Sequence, residues 1–222
     1  MDDISYQLLL VAAALFLVFL NGFFVASEFS IVKVRGTRIE ELVRKGRKHA
    51  QQASSLVRNM DEYLSATQLG ITIASLGLGW IGEPAFAALF LPLLSVFGPF
   101  DLVLAHTLSA SLAFILITFL HIVLGELAPK SLAIQKPEKV ILAASAPMTL
   151  FYRVSYPFIW ILNKAAFLFL KLFGIHPVSE LSSTHSEEEL RMILAKSTEK
   201  GVLDIEEQKL LATDIYGTNL VG

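Results

Sequence analysis

No cysteine occurs among the 222 residues. Disulfides, thiolate nucleophiles and cysteine-ligated metal sites are therefore excluded. Histidine is scattered, and His49, His106 and His121 share no metal-ligand spacing. No glycine-rich phosphate loop, nucleophile–base pair or haem motif is present, so nothing in the chain reads as an enzyme. The basic stretch 33–58 has no interleaved stacking aromatics. A lipid surface explains it better than nucleic acid does.

Charge is the other thing in short supply. Asp, Glu, Lys and Arg are missing from 4–27, 63–81, 84–100 and 102–125, and mean hydropathy is +0.61. Apolar runs of 18 or more residues read as membrane spans. The first run follows Met-Asp-Asp rather than a basic region, is long, and has no small-residue cleavage pattern, so it reads as a retained anchor and not a signal peptide.

The charges that exist are informative. Between Lys33 and Arg58 stand eight Lys or Arg against two acids, Glu40 and Glu41. Short loops rich in Lys and Arg stay in the cytoplasm. The amino terminus is then outside and the end of the first span inside. Ile39, Leu42 and Val43, then Leu56 and Met60, recur at helical spacing. They predict short amphipathic helices on the cytoplasmic surface.

The second apolar stretch, 63–98, is too long for one straight span of about 20 residues. Gly70, Gly77, Gly79 and Gly82 interrupt it, followed by Glu83-Pro84. The expectation is a span to about Ile81, a bend, and a second short piece ending outside at the turn FGPFD. The third span returns inward and ends in GELAPKS. The region 138–175 carries Pro147, Arg153, Pro157, Lys164 and Lys171 among apolar residues. Charges and prolines there suit a helix lying at the inner interface with its long cations snorkelling. A fourth true span, with the carboxyl terminus outside, is the alternative. From Ser179 the chain is acidic. Ser186 and Glu189 form a capping-box pattern, Gly201 would end that helix, and Asp204 would cap the next. Two short helices bury little, so they read as a linker towards something further.

Three places could carry chemistry. In LNGFFVASEFS, Asn21 and Glu28 are seven residues apart and share a helix face, with Ser27 turned about 120° from Asn21. In the second span Thr67, Gln68, Thr72 and Ser75 make a polar region. Such residues also simply pack helices; the functional alternative turns Ser75 inward as a ligand. In the third, Pro129 has no N–H and its ring clashes with the carbonyl four residues back, that of Gly125. A freed carbonyl beside the Glu126 carboxylate makes a hard-oxygen cation site. The competing reading is a plain helix end with Lys130 complementing the dipole. The ligand types are carboxylate, amide, hydroxyl and carbonyl oxygens, which favour Mg²⁺, Ca²⁺ or Na⁺ over zinc or copper.

NGFFVASEF, TQLGIT, GELAPK and the trailing EEELR with GVLDIEE resemble the CorC/cyclin M (CNNM) family of magnesium transporters, over essentially the whole chain. The resemblance implies an all-α integral membrane protein: three transmembrane helices, a juxtamembrane interfacial helix and a partial cytosolic helical bundle. It implies a homodimer in the cytoplasmic membrane, carboxyl terminus cytoplasmic, exporting Mg²⁺ in exchange for Na⁺. Residues 1–136 would be the transport domain, with spans at about 4–34, 62–97 and 102–125 and amphipathic helices at 35–61. Residues 137–176 would be the interfacial helix, and 177–222 a linker cut short before a pair of CBS domains, so that no ATP site belongs to this chain. Carried onto these residues, the family's ion site falls on Glu126, Gly125, Ser75, Asn21 and Ser27. A membrane-anchored Mg²⁺ sensor that moves no ions is the alternative function.

Overall fold

The computed structural model describes residues 3–95 and 102–174. The acidic segment from Ser179 and the FGPFD turn lie outside the described residues. Helices α1 (Asp3–Lys33), α2 (Gly36–Arg44), α3 (Ala50–Arg58), α4 (Met60–Ser95) and α5 (Leu102–Leu120) follow in order. A π-helical segment (His121–Leu127), α6 (Ala128–Gln135) and α7 (Pro137–Leu172) complete the described chain, which contains no strand. Three stretches are long and apolar enough to cross a membrane: Ser5–Lys33, Met60–Leu94 and Val103–Gln135. The chain divides into two compact units, residues 1–166 and 167–222. The packing below is that of the first; in the second, the Phe169 and Phe173 rings lie 5.1 Å apart.

Two expected breaks are not breaks. Helix α4 runs through Gly70, Gly77, Gly79, Gly82 and the Glu83-Pro84 pair without interruption. Membrane helices tolerate glycine and proline because neighbouring groups satisfy what is freed. The third span likewise does not stop at Gly125: its helical path passes through the π segment and α6 to Gln135. Helix α7 also continues through Pro147 and Pro157. Gly70, Gly77 and Gly82 of α4 seat side chains of its neighbours instead. A Cβ at Gly70 would lie 2.5 Å from the Phe24 ring, and one at Gly77 would lie 3.3 Å from Leu17. Both pairs are spaced seven residues apart, which keeps them on one face.

One apolar cluster joins α1, α4 and α5 through Ala14, Val18, Leu78, Phe86, Ala113 and Ile117. Another joins α1 to α2, α3, the start of α4, and α7; Ile31, Ile39, Leu56, Tyr63, Ile141 and Met148 are at its centre. The Phe24 ring belongs to the second cluster and packs 4.7 Å from Phe151. The amphipathic faces of α2 and α3 are thus buried, as their periodicity predicts. A Schellman turn ends α2: Gly46, at φ 64°, sends its N–H to Val43 O at 2.9 Å, and Arg47 N–H goes to Leu42 O at 3.0 Å.

Polar bonds fasten α7 along its length. Arg38 donates to Glu138 at 3.2 Å, and Ser145 donates to the His49 carbonyl at 3.3 Å. The Tyr152 hydroxyl donates to Glu62, and Ser65 donates to Asn163 at 3.2 Å. Burial first, then the Glu62 bond, pushes the Tyr152 hydroxyl above its ordinary range. It therefore stays protonated as a donor.

The hydrogen bonds from Lys45 and then Arg38 hold the Glu41 carboxyl down from 4.5 to about 2. A depressed carboxylate stabilises the fold above its ordinary pKa and loses that contribution as pH falls through its folded value. The hydrogen-exchange protection of α2, relative to the intrinsic rate at each pH, should therefore be constant above pH 4.5 and fall towards pH 2; Glu41→Gln should remove that acid step. A second prediction tests the glycine seats. Gly70→Ala drives a methyl group into the wedged Phe24 ring and should cost about 1–3 kcal/mol, read as earlier heat-induced loss of the monodisperse peak in detergent. Gly79 has open space around a Cβ. Gly79→Ala should be neutral or stabilising, because alanine is the better helix former.

Candidate cation site

Three helices meet at Asn21. Its side chain is 1% exposed, in the middle of an apolar helix. Its amide Nδ2 donates to the Gly125 carbonyl at 3.0 Å, and its Oδ1 accepts from Ser75 Oγ at 3.2 Å. Residues 54 and 104 positions away in sequence are thereby drawn onto one amide. An unpaired amide buried at this depth would be costly, and this one is satisfied at both ends.

The local geometry follows from three residues. Pro129 offers no N–H to Gly125, so the carbonyl needs another donor, and Asn21 supplies it. The backbone answers by widening to a π turn rather than ending. The Ala128 N–H bonds to Val123 O, five residues back. Single π turns within α-helices are often found at functional sites. Gly22 lets α1 press against this turn: a Cβ there would lie 2.9 Å from both the Leu124 carbonyl and the Pro129 ring. Gly125 gives the same access from the other side, where a Cβ would meet Asn21 Nδ2 at 3.3 Å and the Val18 carbonyl at 3.5 Å.

Of the five residues singled out by sequence, Asn21, Ser75 and Gly125 come together. Glu126 follows Gly125 on the π turn and is exposed, with no ion pair among the described residues. Ser27 is fully buried but turns its hydroxyl back on its own helix, donating to Phe23 O at 2.7 Å. Ser30 and Thr67 are also buried and are satisfied locally, by Ser27 O at 2.9 Å and Leu64 O at 2.8 Å. Lys130 does not close the helix end; its ammonium sits 4.6 Å from the centre of the Phe29 ring. The contact that sequence reasoning missed is Gly22 against Pro129. Its only signal was a glycine beside the Asn21 amide.

The cluster holds an amide oxygen, a hydroxyl and a backbone carbonyl, with a carboxylate one residue away. Each of these oxygens has a second lone pair beyond the hydrogen bond described. No group of three or more His, Asp or Glu gathers among the described residues. The donor set is therefore hard and neutral apart from Glu126, and suits a small hard cation rather than a transition metal.

The motifs that carried the resemblance are matched by a family model. The cyclin M transmembrane N-terminal domain covers residues 12–207. The UPF0053 protein YhdT of Bacillus subtilis is 50% identical over 209 residues, which is 94% of this chain and 44% of that protein. YrkA, from the same organism, is 47% identical over 87% of this chain and 44% of its own length. Rv1841c of Mycobacterium tuberculosis, called uncharacterized, is 35% identical over 95% of this chain and 59% of that protein. The chain spans about half the length of the curated relatives it matches. With its three apolar helices and its GELAPK turn, the chain belongs to the cyclin M (CNNM) family and corresponds to that family's transmembrane domain.

Proposed function

We propose that this chain is the ion-moving part of a secondary transporter that exports Mg²⁺ across the cytoplasmic membrane in exchange for Na⁺. The observation that carries the reading is the Asn21–Ser75–Gly125 oxygen cluster that meets the π turn, with Glu126 the next residue along that turn. Family membership supports a metal-transport role. The basic residues of 33–58 favour a cytoplasmic side for α2 and α3, and hence an amino terminus outside.

Mg²⁺ gives up its water reluctantly and usually keeps several waters when bound. The cluster offers three fixed oxygens, which suits a partly hydrated ion. Glu126 supplies formal negative charge next to neutral dipoles. Ser27 would join only by giving up its bond to Phe23. The cation is the cargo, and no nucleotide is needed at this site. The working unit is a homodimer in a lipid bilayer: α4 leaves Ile73, Leu76 and Trp80 exposed, with Trp80 85% accessible. In lipid such surfaces associate by packing and hydrogen bonding rather than by hydrophobicity.

The transport test is Mg²⁺ efflux from loaded proteoliposomes under an inward Na⁺ gradient. Flux that ignores the gradient removes the exchange. Mg²⁺ binding without any flux leaves the sensing alternative. Titration calorimetry separates the residues. Glu126→Gln should weaken Mg²⁺ binding by more than about tenfold, because it removes a unit charge whose interaction with a nearby ion is worth kilocalories at intermediate dielectric. Folding and dimerisation should be unaffected. Pro129→Ala restores an amide that competes with Asn21 for the Gly125 carbonyl; it should weaken binding while raising thermal stability. Ser75→Ala should cost affinity, and Ser27→Ala much less. Equal losses for the two serines would place Ser27 in the site.

A further inference from the structure

A cavity of about 860 Å³ lies between α4 and α5, lined by Ser75, Glu83, Ser111, Thr118 and His121 together with apolar residues. One end is Ser75, whose hydroxyl is bonded to Asn21. Glu83 stands eight residues further along α4, about 12 Å at the usual helical rise. Water occupies about 30 Å³ per molecule in the liquid. By volume alone the cavity has room for a divalent cation with much of its hydration shell.

Glu83 has no ion-pair partner among the described residues, and it lies within the apolar stretch Met60–Leu94. An ionisable group in a membrane helix usually faces a watery cavity or a partner and marks an ion path. Its surroundings also repeat a device seen on the π turn. Pro84 removes the amide that would bond to the Trp80 carbonyl four residues back, just as Pro129 does for Gly125. In both places a Gly-Glu pair stands within one helical turn of a proline-freed carbonyl in an apolar helix. Gly82 fixes the position: a Cβ there would meet Ile117 at 3.1 Å and Leu78 at 3.2 Å, so the backbone before Glu83 is seated tightly against α5.

We propose that this cavity is the outer leg of the ion path, and that the Glu83 carboxylate on its wall is a second stop for a partly hydrated divalent cation leaving the Asn21 cluster. The inference rests on the transport reading. Ser75 connects the two stops, and Ser111 and Thr118 supply hydroxyls along the opposite wall.

The absence of cysteine makes the water content of the cavity directly testable. Ser111→Cys and Thr118→Cys would each carry the sole thiol of the chain. In intact cells both should react with a membrane-impermeant methanethiosulfonate reagent added outside, scored as a mass shift after purification. No reaction at either position overturns the aqueous path. In proteoliposomes Glu83→Gln should lower Mg²⁺ flux by about tenfold or more, as expected for an intramembrane carboxylate on an ion path. Mg²⁺ affinity by calorimetry, dominated by the Glu126 site, should stay near that of the unmodified protein. Glu83→Asp should keep measurable flux. Unchanged flux in Glu83→Gln, or affinity lost together with flux, overturns the second stop. No flux in the unmodified protein, with Mg²⁺ still bound, overturns the transport reading and this inference with it.

Discussion

The close approach of α1 to the π turn is the constraint on which the rest depends. It needs Gly22 on one side and Gly125 on the other, because a Cβ at either would intrude on the partner helix. With both in place the Asn21 amide reaches the Gly125 carbonyl. That bond replaces the one Pro129 removed, so the third span can carry an unusual turn at membrane depth without a stranded polar group. Ser75 then has an amide oxygen to bind, and α4 is drawn to the same point.

The surrounding packing serves to keep this junction in place. Above it, Ala14, Val18, Leu78 and Ile117 hold α1, α4 and α5 together. Below it, Phe24 lies across Gly70 and against Phe151, so α7 braces the same pair of helices. The bonds from α7 to Arg38, His49, Glu62 and Ser65 are polar; two are exposed and two partly buried. Surface pairs of this kind are individually weak. They fix where α7 lies more than they hold it, and Ile141, Met148 and Ile159 supply the burial.

Much of this was legible in the residues, for physical reasons. Charge-free runs gave the three spans, and apolar periodicity gave α2 and α3. Pro129 announced the freed Gly125 carbonyl, since a missing N–H is a covalent fact. The continuation of the helix beyond it was not legible. Whether a proline ends a helix or widens it to a π turn depends on the donor that replaces its amide, and Asn21 lies 104 positions from Gly125. The glycines of α4 were misread as breaks for a similar reason. Gly70 is a gap only until the Phe24 ring fills it. Ser27 stood in an informative motif, yet its hydroxyl bonds to the carbonyl four residues back. That is an ordinary option for serine in a helix, and sequence spacing does not reveal it.

The π turn also acts as a phase shifter. A widened turn holds one residue more than an α-helix would, so everything after it is rotated by about 100° relative to an uninterrupted helix. Helix α6, the Lys130 ammonium over Phe29 and the start of α7 at Pro137 all lie downstream of that single surplus residue. The span is in effect two helices with different facings joined without a loop. A motion that passed the bulge along the helix by one turn would re-aim only the residues of the turn it crossed, leaving the helix on either side in place and using only backbone hydrogen bonds that trade partners.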